Sequence, residues 1–321
     1  MRIVKAVAVL IIICIFAGIG FVYLAPQKAT SLAMDTERLR SGLTRKEINL
    51  PNGLHYVYLE GGKGEPLILL HGFGANKDNF VRTAKFLTPR YRVIIPDHIG
   101  FGESSHPQDA DYKTGTQAAR VRTLAQALGI TKVHLGGNSM GGQICLMYAF
   151  FYPDEVKSLW LLDPGGIWSA PKSEFQEMIA KTGENPLMAR NEDEFAKTFT
   201  FVMSDHPFVP RPMLNVMAQE RIRNYDLEMR IIKELGAESI EKYVNGIKTP
   251  ALIVWGDKDR VISPATAEIL HKMMPASEVI MMKGIGHLPM LEQPRRSAED
   301  YLKFREKLGK DIIQTKEQED K

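Results

Sequence analysis

A series of short apolar runs recurs along the chain, with Gly, Pro, Asp or His close by. They are Pro66–Leu70 (PLILL), Arg92–Pro96 (RVIIP), Val133–Gly136 (VHLG), Leu159–Leu162 (LWLL), Ala251–Trp255 (ALIVW) and Glu278–Met282 (EVIMM). A half-solvated strand alternates polar and apolar residues; these do not. Such runs fit strands of a parallel sheet covered on both faces. Amphipathic stretches separate them, for example Thr116–Leu128 and Ala265–Met274. The βαβα rhythm predicts an α/β protein whose mostly parallel central sheet is flanked by helices. Ahead of it, residues 48–60 carry a Pro-Asn-Gly turn between two short strand patterns, a hairpin signal. With 321 residues, 44% of them hydrophobic, the chain has enough apolar mass for a large single core.

The rhythm stops after Pro164. From Ser169 to Ile247 the sequence offers only helical patterns: Glu174–Lys181, Glu192–Met203 and Met213–Leu235. That predicts an all-helical cap inserted between two strands. The expected division is hydrolase core over 46–168 and 248–312, cap over 169–247, and a polar tail over 313–321. The last core helix is expected over Arg296–Leu308. The cap is rich in Met (Met178, Met188, Met203, Met213, Met217, Met229), which fills helical cores and also suits adaptable acyl-chain walls.

The N-terminus reads differently. Arg2 and Lys5 precede an uncharged apolar run from Ala6 to Ala25. About 20 such residues is the length of a membrane-spanning helix. No clean small-x-small cleavage site follows, so residues 1–25 read as an uncleaved anchor rather than a signal peptide. The positive residues lie before the span, which expects the rest of the chain on the non-cytoplasmic side, periplasmic in a bacterium. Polar residues 26–45 read as a juxtamembrane linker.

Charge and cysteine usage exclude several classes. Lys plus Arg is 41 against 38 acidic residues, and no basic cluster interleaves with aromatics, which points away from nucleic acid. Cys14 and Cys145 fall in an apolar terminus and a core helix pattern, and no Cys or His spacing suits a metal. Gly100-Phe101-Gly102 lacks the Lys-Ser/Thr of a phosphate loop and reads as structural. No cofactor, metal or obligate protein partner is expected.

Chemistry enters at Gly137-Asn138-Ser139-Met140-Gly141, a G-x-S-x-G sequence between the VHLG run and the helical pattern Gln143–Tyr152. In strand–turn–helix context it is the nucleophile-elbow signal: glycines on both sides permit a sharp turn that lifts the serine hydroxyl above the sheet. Acyl transfer also needs two N–H donors for the oxyanion. One is expected from Met140, and the other from Phe73 in His71-Gly72-Phe73-Gly74 after PLILL. The serine needs a base. Among eight histidines, His287 stands out, because it follows EVIMM and so lies at the sheet edge where Ser139 emerges. His134 sits within a strand and reads as packing. The acid lies between Ser139 and His287 in chain order. Asp257 and Asp259 follow ALIVW and Asp163 follows LWLL, and the residues alone leave all three open.

From Ile48 to Leu308 the chain resembles the capped lipase/esterase group of α/β-hydrolases, especially membrane-anchored monoacylglycerol lipases and related bacterial lipases. The resemblance is carried by the segments from His71 to Phe80 (HGFGANKDNF) and from Asp97 to Ser104 (DHIGFGES). It is also carried by Gly137–Gly142 (GNSMGG), Trp255–Asp259 (WGDKD) and Gly286-His287. In that family the acid stands three residues after the glycine of W-G-x-x-D, which implies Asp259. The resemblance implies a Ser139–Asp259–His287 triad, no cofactor, and a small lipid or ester substrate, a monoacylglycerol or short-to-medium acyl ester. A carbon–carbon hydrolase of the meta-cleavage type has a similar serine motif and is the alternative. Dehalogenases and epoxide hydrolases would want Asp at position 139.

Overall fold

The computed structural model describes residues 2–237 and 239–319. The strands are β1 (Leu43–Asn49), β2 (His55–Gly61), β3 (Glu65–Leu70), β4 (Tyr91–Pro96), β5 (Val133–Asn138), β6 (Val156–Leu162), β7 (Ala251–Gly256) and β8 (Ser277–Met282). They form one eight-stranded sheet in the order β1-β2-β4-β3-β5-β6-β7-β8. β1 and β2 are the antiparallel hairpin, and β2 also runs antiparallel to β4. From β4 to β8 every neighbour is parallel.

Cover on both faces explains the unalternated runs of the inner strands, whereas EVIMM lies on β8 at the sheet edge and is only partly covered, with Met281 exposed. Ile68, Leu70, Ile94, Leu135, Leu161 and Ile253 point into one core. Their neighbours Leu67, Leu69, Val93, Ile95, Leu162 and Leu252 point into the other. Successive strand residues face opposite ways, so a strand between two cores is apolar at every position. Each fully buried Leu or Ile contributes about 1.5–3 kcal/mol. β3 pairs with β4 on one side and β5 on the other. The chain therefore reverses direction across the sheet at β3, and a crevice opens beyond the C-terminal ends of β3 and β5.

Between β6 and β7 the described residues form helices only: Glu174–Thr182, Glu192–Val202, Arg211–Arg223, Tyr225–Gly236 and Glu241–Val244. The single helix expected over Met213–Leu235 is broken at Asn224, whose N–H still bonds Glu220 O at 3.1 Å. Arg221 and Glu228 flank the corner and meet at 2.7 Å. In a straight helix, residues seven apart lie about 10 Å from each other along the axis.

The N-terminal helix Arg2–Leu24 contains a 22-residue stretch, Ile3–Leu24, long and apolar enough to cross a membrane. The linker expected over 26–45 is instead a helix, Pro26–Arg40, followed by the start of β1. Pro26 occupies its first turn, where a missing N–H costs nothing. The helix packs on helix Arg211–Arg223 and on β1, burying Ala29 and Thr30. Arg38 fixes it with a two-pronged bond to Asp78, at 2.7 and 2.6 Å. The last helix runs Pro294–Glu319, so its backbone extends past Leu308 into the expected polar tail. Asp320 and Lys321 of that tail lie outside the described residues.

Candidate active site

Ser139 stands at the junction of β5 and helix Met140–Phe151, with φ 54° and ψ −117°. A non-glycine residue held there stores backbone strain, which persists only where the surroundings enforce it. The surroundings do so through hydrogen bonds. Ser139 N–H donates to Leu162 O at 3.0 Å, and Ser139 O accepts from Gln143 and Gly165 N–H at 3.0 and 3.1 Å. A Cβ on Gly137 would stand 2.4 Å from Gly141 carbonyl atoms, and one on Gly141 would stand 2.1 Å from Leu70 O. The two glycines are steric requirements of the turn.

His287 follows β8 and is buried, with Nδ1 2.8 Å from Asp259 Oδ2. The other Asp259 oxygen accepts from the N–H groups of Val261 and Ile262 at 2.8 and 3.0 Å. One oxygen is anchored by backbone while the other faces the imidazole. Asp257 is exposed and accepts from Gly284 N–H at 2.6 Å, which shapes the loop. Asp163 is fully buried at the end of β6, behind Asp259. One donor atom each of Asp163, Asp259 and His287 lies within 4.8 Å of the others. Among the described residues, this is the group of three close enough to share a cation, and two of its members already satisfy each other.

Two residues that the sequence did not single out hold the histidine loop. Asn138 Nδ2 donates to His287 O at 2.9 Å and to Leu162 O at 3.1 Å. It ties the serine strand, β6 and the histidine together. Glu292 is buried and gathers backbone N–H groups from two elements. Gly286 donates at 3.0 Å and Leu288 at 3.3 Å, while Ser204 and Asp205 of the cap donate at 2.8 Å. His287 N–H itself donates to Val202 O of the cap at 2.9 Å. Asn138 lies inside the elbow motif, at a position G-x-S-x-G leaves open, and no local pattern marks Glu292.

Phe73 lies in the loop after β3, with Gly72 so close that its Cβ would stand 3.3 Å from Ser139 Cβ. Met140 opens the helix after Ser139, where the first N–H groups have no intrahelical partner. The loop is held from above by Arg221, another residue missed in the sequence. Its guanidinium donates to Gly74 O at 2.9 Å, Leu187 O at 2.6 Å and Glu228 at 2.7 Å, and lies over the Phe73 ring. Burial pushes Glu228 up to about 7 against the pull of Arg221. Beneath the loop, burial lowers His71 to about 3, and it lowers His98 well below the usual range. His71 is therefore neutral at pH 7: Nδ1 donates to Gly72 O and Nε2 accepts His98 N–H at 3.1 Å.

These parts surround one cavity of about 1,080 Å³. Ser139, His287, Gly72 and Phe73 lie in its wall, which is mainly apolar. Cap residues Phe195, Phe199, Met213 and Met217 close one side, and Leu32 and Ala33 of helix Pro26–Arg40 close another. Phe21 and Val22, near the end of the N-terminal apolar helix, complete it.

A family model described as the α/β hydrolase fold matches residues 65–294. The chain belongs to the α/β-hydrolase family. Over 285 residues it is 45% identical to Lipase 1 of Psychrobacter immobilis, covering 86% of this chain and 88% of that one. It is 27% identical to the human monoacylglycerol lipase ABHD6, over 78% of this chain and 79% of that one. Among solved structures, a membrane phospholipase A, described as a bacterial virulence factor, superposes with TM-score 0.85. That pair shares 36% identity and covers 94% of this chain and 98% of the other. With the family and the first of these likenesses, the chain is a carboxylic ester hydrolase of the α/β-hydrolase fold.

Proposed function

We propose that the ester this hydrolase cleaves is a membrane-derived lipid, a monoacylglycerol foremost, through a Ser139–His287–Asp259 relay. The observation that carries the reading is the cavity: an apolar chamber walled by the cap and by the helices that leave the N-terminal apolar segment, with Ser139 and His287 on its surface. Its about 1,080 Å³ exceeds the roughly 300–1,000 Å³ usual for small-ligand pockets. Helix Arg2–Leu24 acts as an uncleaved anchor, with the catalytic domain on the non-cytoplasmic side.

With Nδ1–H engaged by Asp259, the lone pair of His287 is on Nε2 and takes the Ser139 proton as Oγ attacks the ester carbonyl. The developing oxyanion is held by the N–H groups of Phe73 and Met140, each such donor contributing about 3–4 kcal/mol. The protonated imidazole returns the proton to the leaving alcohol. Water, activated by the same nitrogen, then cleaves the acyl-enzyme. None of these steps requires a cofactor.

A diacyl phospholipid is the second reading, favoured by the size of the cavity and by the solved relative described as a membrane phospholipase A. The test is hydrolysis of p-nitrophenyl esters from acetate to palmitate, beside a monoacylglycerol and a phosphatidylcholine in mixed micelles. Preference for the monoacylglycerol supports the first reading, and preference for the phospholipid replaces it. Turnover confined to the shortest esters overturns both.

A further inference from the structure

We propose that Asp163 is a neutral carboxylic acid whose proton is donated to the Asp259 carboxylate, making Asp163 a positioning residue that keeps this pair at a single negative charge. The inference rests on the relay named above and adds a member behind it.

Asp163 is fully buried and ends β6 with φ 45°, a left-handed conformation that Asp and Asn tolerate better than most residues. Its Oδ1 accepts the N–H of Gly256 at 2.9 Å. Its Oδ2 is buried, and no N–H or O–H of the described residues reaches it. An oxygen of Asp259 lies within 4.8 Å of one of Asp163, and an ionised carboxylate offers only acceptors. The Asp259 oxygens are already committed to Val261 N–H, Ile262 N–H and His287 Nδ1. Two buried carboxylates cannot face each other as bare acceptors, because each unsatisfied group costs about 1–3 kcal/mol and like charges sharing a site repel. One proton on Asp163 turns that repulsion into a hydrogen bond.

The charged and titratable groups around Asp163 favour this state. Asp259 and Glu292 are acidic, and His287 is bonded to Asp259. Burial, then the Asp259 charge, push the Asp163 carboxyl well above the usual carboxylate range, while the Gly256 N–H pulls it back. The consequence is a matched pair in the acyl-transfer step: one negative charge behind one imidazolium.

The test is the pH profile of kcat/KM for the full chain and three variants. Asp163→Asn keeps the shape, tolerates the backbone angle, offers N–H to Asp259 and accepts from Gly256. It should retain near wild-type kcat, with the acid limb in place. Were Asp163 an anion, the same change would remove a negative charge beside the base and lower the acid limb by about one unit or more, which overturns the proposal. Asp163→Gly suits the backbone but offers no donor; kcat should fall about tenfold and the acid limb should rise. An unchanged Asp163→Gly profile also overturns it. An infrared band of a protonated carboxyl, lost in Asp163→Asn, reads the proton without turnover, and its absence in the wild type refutes the idea. Asp259→Asn separates this failure from that of the relay. If Asp259→Asn is active while Asp163→Asn is crippled, the relay itself is misassigned.

Discussion

The sheet carries a serine, a histidine and an acid at both of its ends. At the C-terminal edge stand Ser139, His287 and Asp259. At the other end, Ser158 Oγ lies 2.8 Å from His134 Nδ1, and His134 Nε2 lies 3.0 Å from Glu65 Oε2. By distance alone the second set is a good triad. Ser158 and His134, however, are fully buried inside the fold and face Tyr301 and Arg305 of the last helix. Ser158 lies in the middle of β6 rather than on a strained turn. Burial and Arg305 drop His134 to about 4, so it is neutral and staples the last helix to the sheet. Geometry between three side chains is a weak criterion; a place in the cavity wall and a strained backbone at the serine separate the two ends.

The contrast is tested first at the serines. Ser139→Ala should cost on the order of 10⁶-fold in kcat with the fold intact. Ser158→Ala should leave kcat unchanged and lower stability by about 1 kcal/mol, measured by urea unfolding. Appreciable turnover in the first variant, or a dead but folded second one, reverses the assignment of the two ends.

The acids come next. Asp259→Asn should lower kcat roughly 10⁴-fold, because an amide favours the wrong imidazole tautomer. Glu65→Gln should leave steady-state rates alone, and Asp257→Asn should do little beyond loosening its loop.

A smaller effect is expected at Glu292. Glu292→Gln replaces a carboxylate that gathers N–H groups from the cap and the histidine loop with an amide bearing one acceptor. Misplacing the base should cost on the order of 10–100-fold in kcat. A wild-type rate would mean that the cap and His287 are not coupled through it.

The smallest effect is on stability alone. An unfolded histidine titrates near about 6.5, whereas folded His134 does so at about 4. Between these values the unfolded chain takes up a proton that the folded one refuses. The contribution of His134 is therefore full above pH ~6.5 and is lost as pH falls toward about 4, on the order of 3 kcal/mol in all. His134→Asn should flatten the decline of Tm over that window. The decline should persist in part, since His71 and His98 are lowered in the same direction. An unchanged slope would show that His134 is not held neutral.

How much of this was legible follows from how local each signal is. β3 to β7 were readable because a strand covered on both faces has no solvated position to disguise it. The elbow was readable because its glycines are demanded within five residues. Asp163, Asp257 and Asp259 all end strands at one edge, so composition could not rank them, and the family likeness brought Asp259 forward. Helix Pro26–Arg40 was read as a linker because it is covered along a narrow stripe and steadied by Arg38 reaching Asp78, forty residues away. The break at Asn224, the clamp at Arg221 and the acceptor role of Glu292 depend on partners remote in sequence. Isolated Asn, Arg and Glu residues carry no mark of such partners.

The helix Pro26–Arg40 and the apolar segment before it share one further property. Phe21 and Val22 belong to the stretch long and apolar enough to cross a membrane, Leu32 and Ala33 to the helix that follows it, and all four line the chamber wall. Under the function proposed above, one stretch of sequence carries two kinds of information, an address and a substrate preference. Selection on either moves the other: a lineage that re-tunes this segment for a thicker or thinner membrane also reshapes the room for an acyl chain. On that reading, exchanging the segment would be a change of specificity as much as of location.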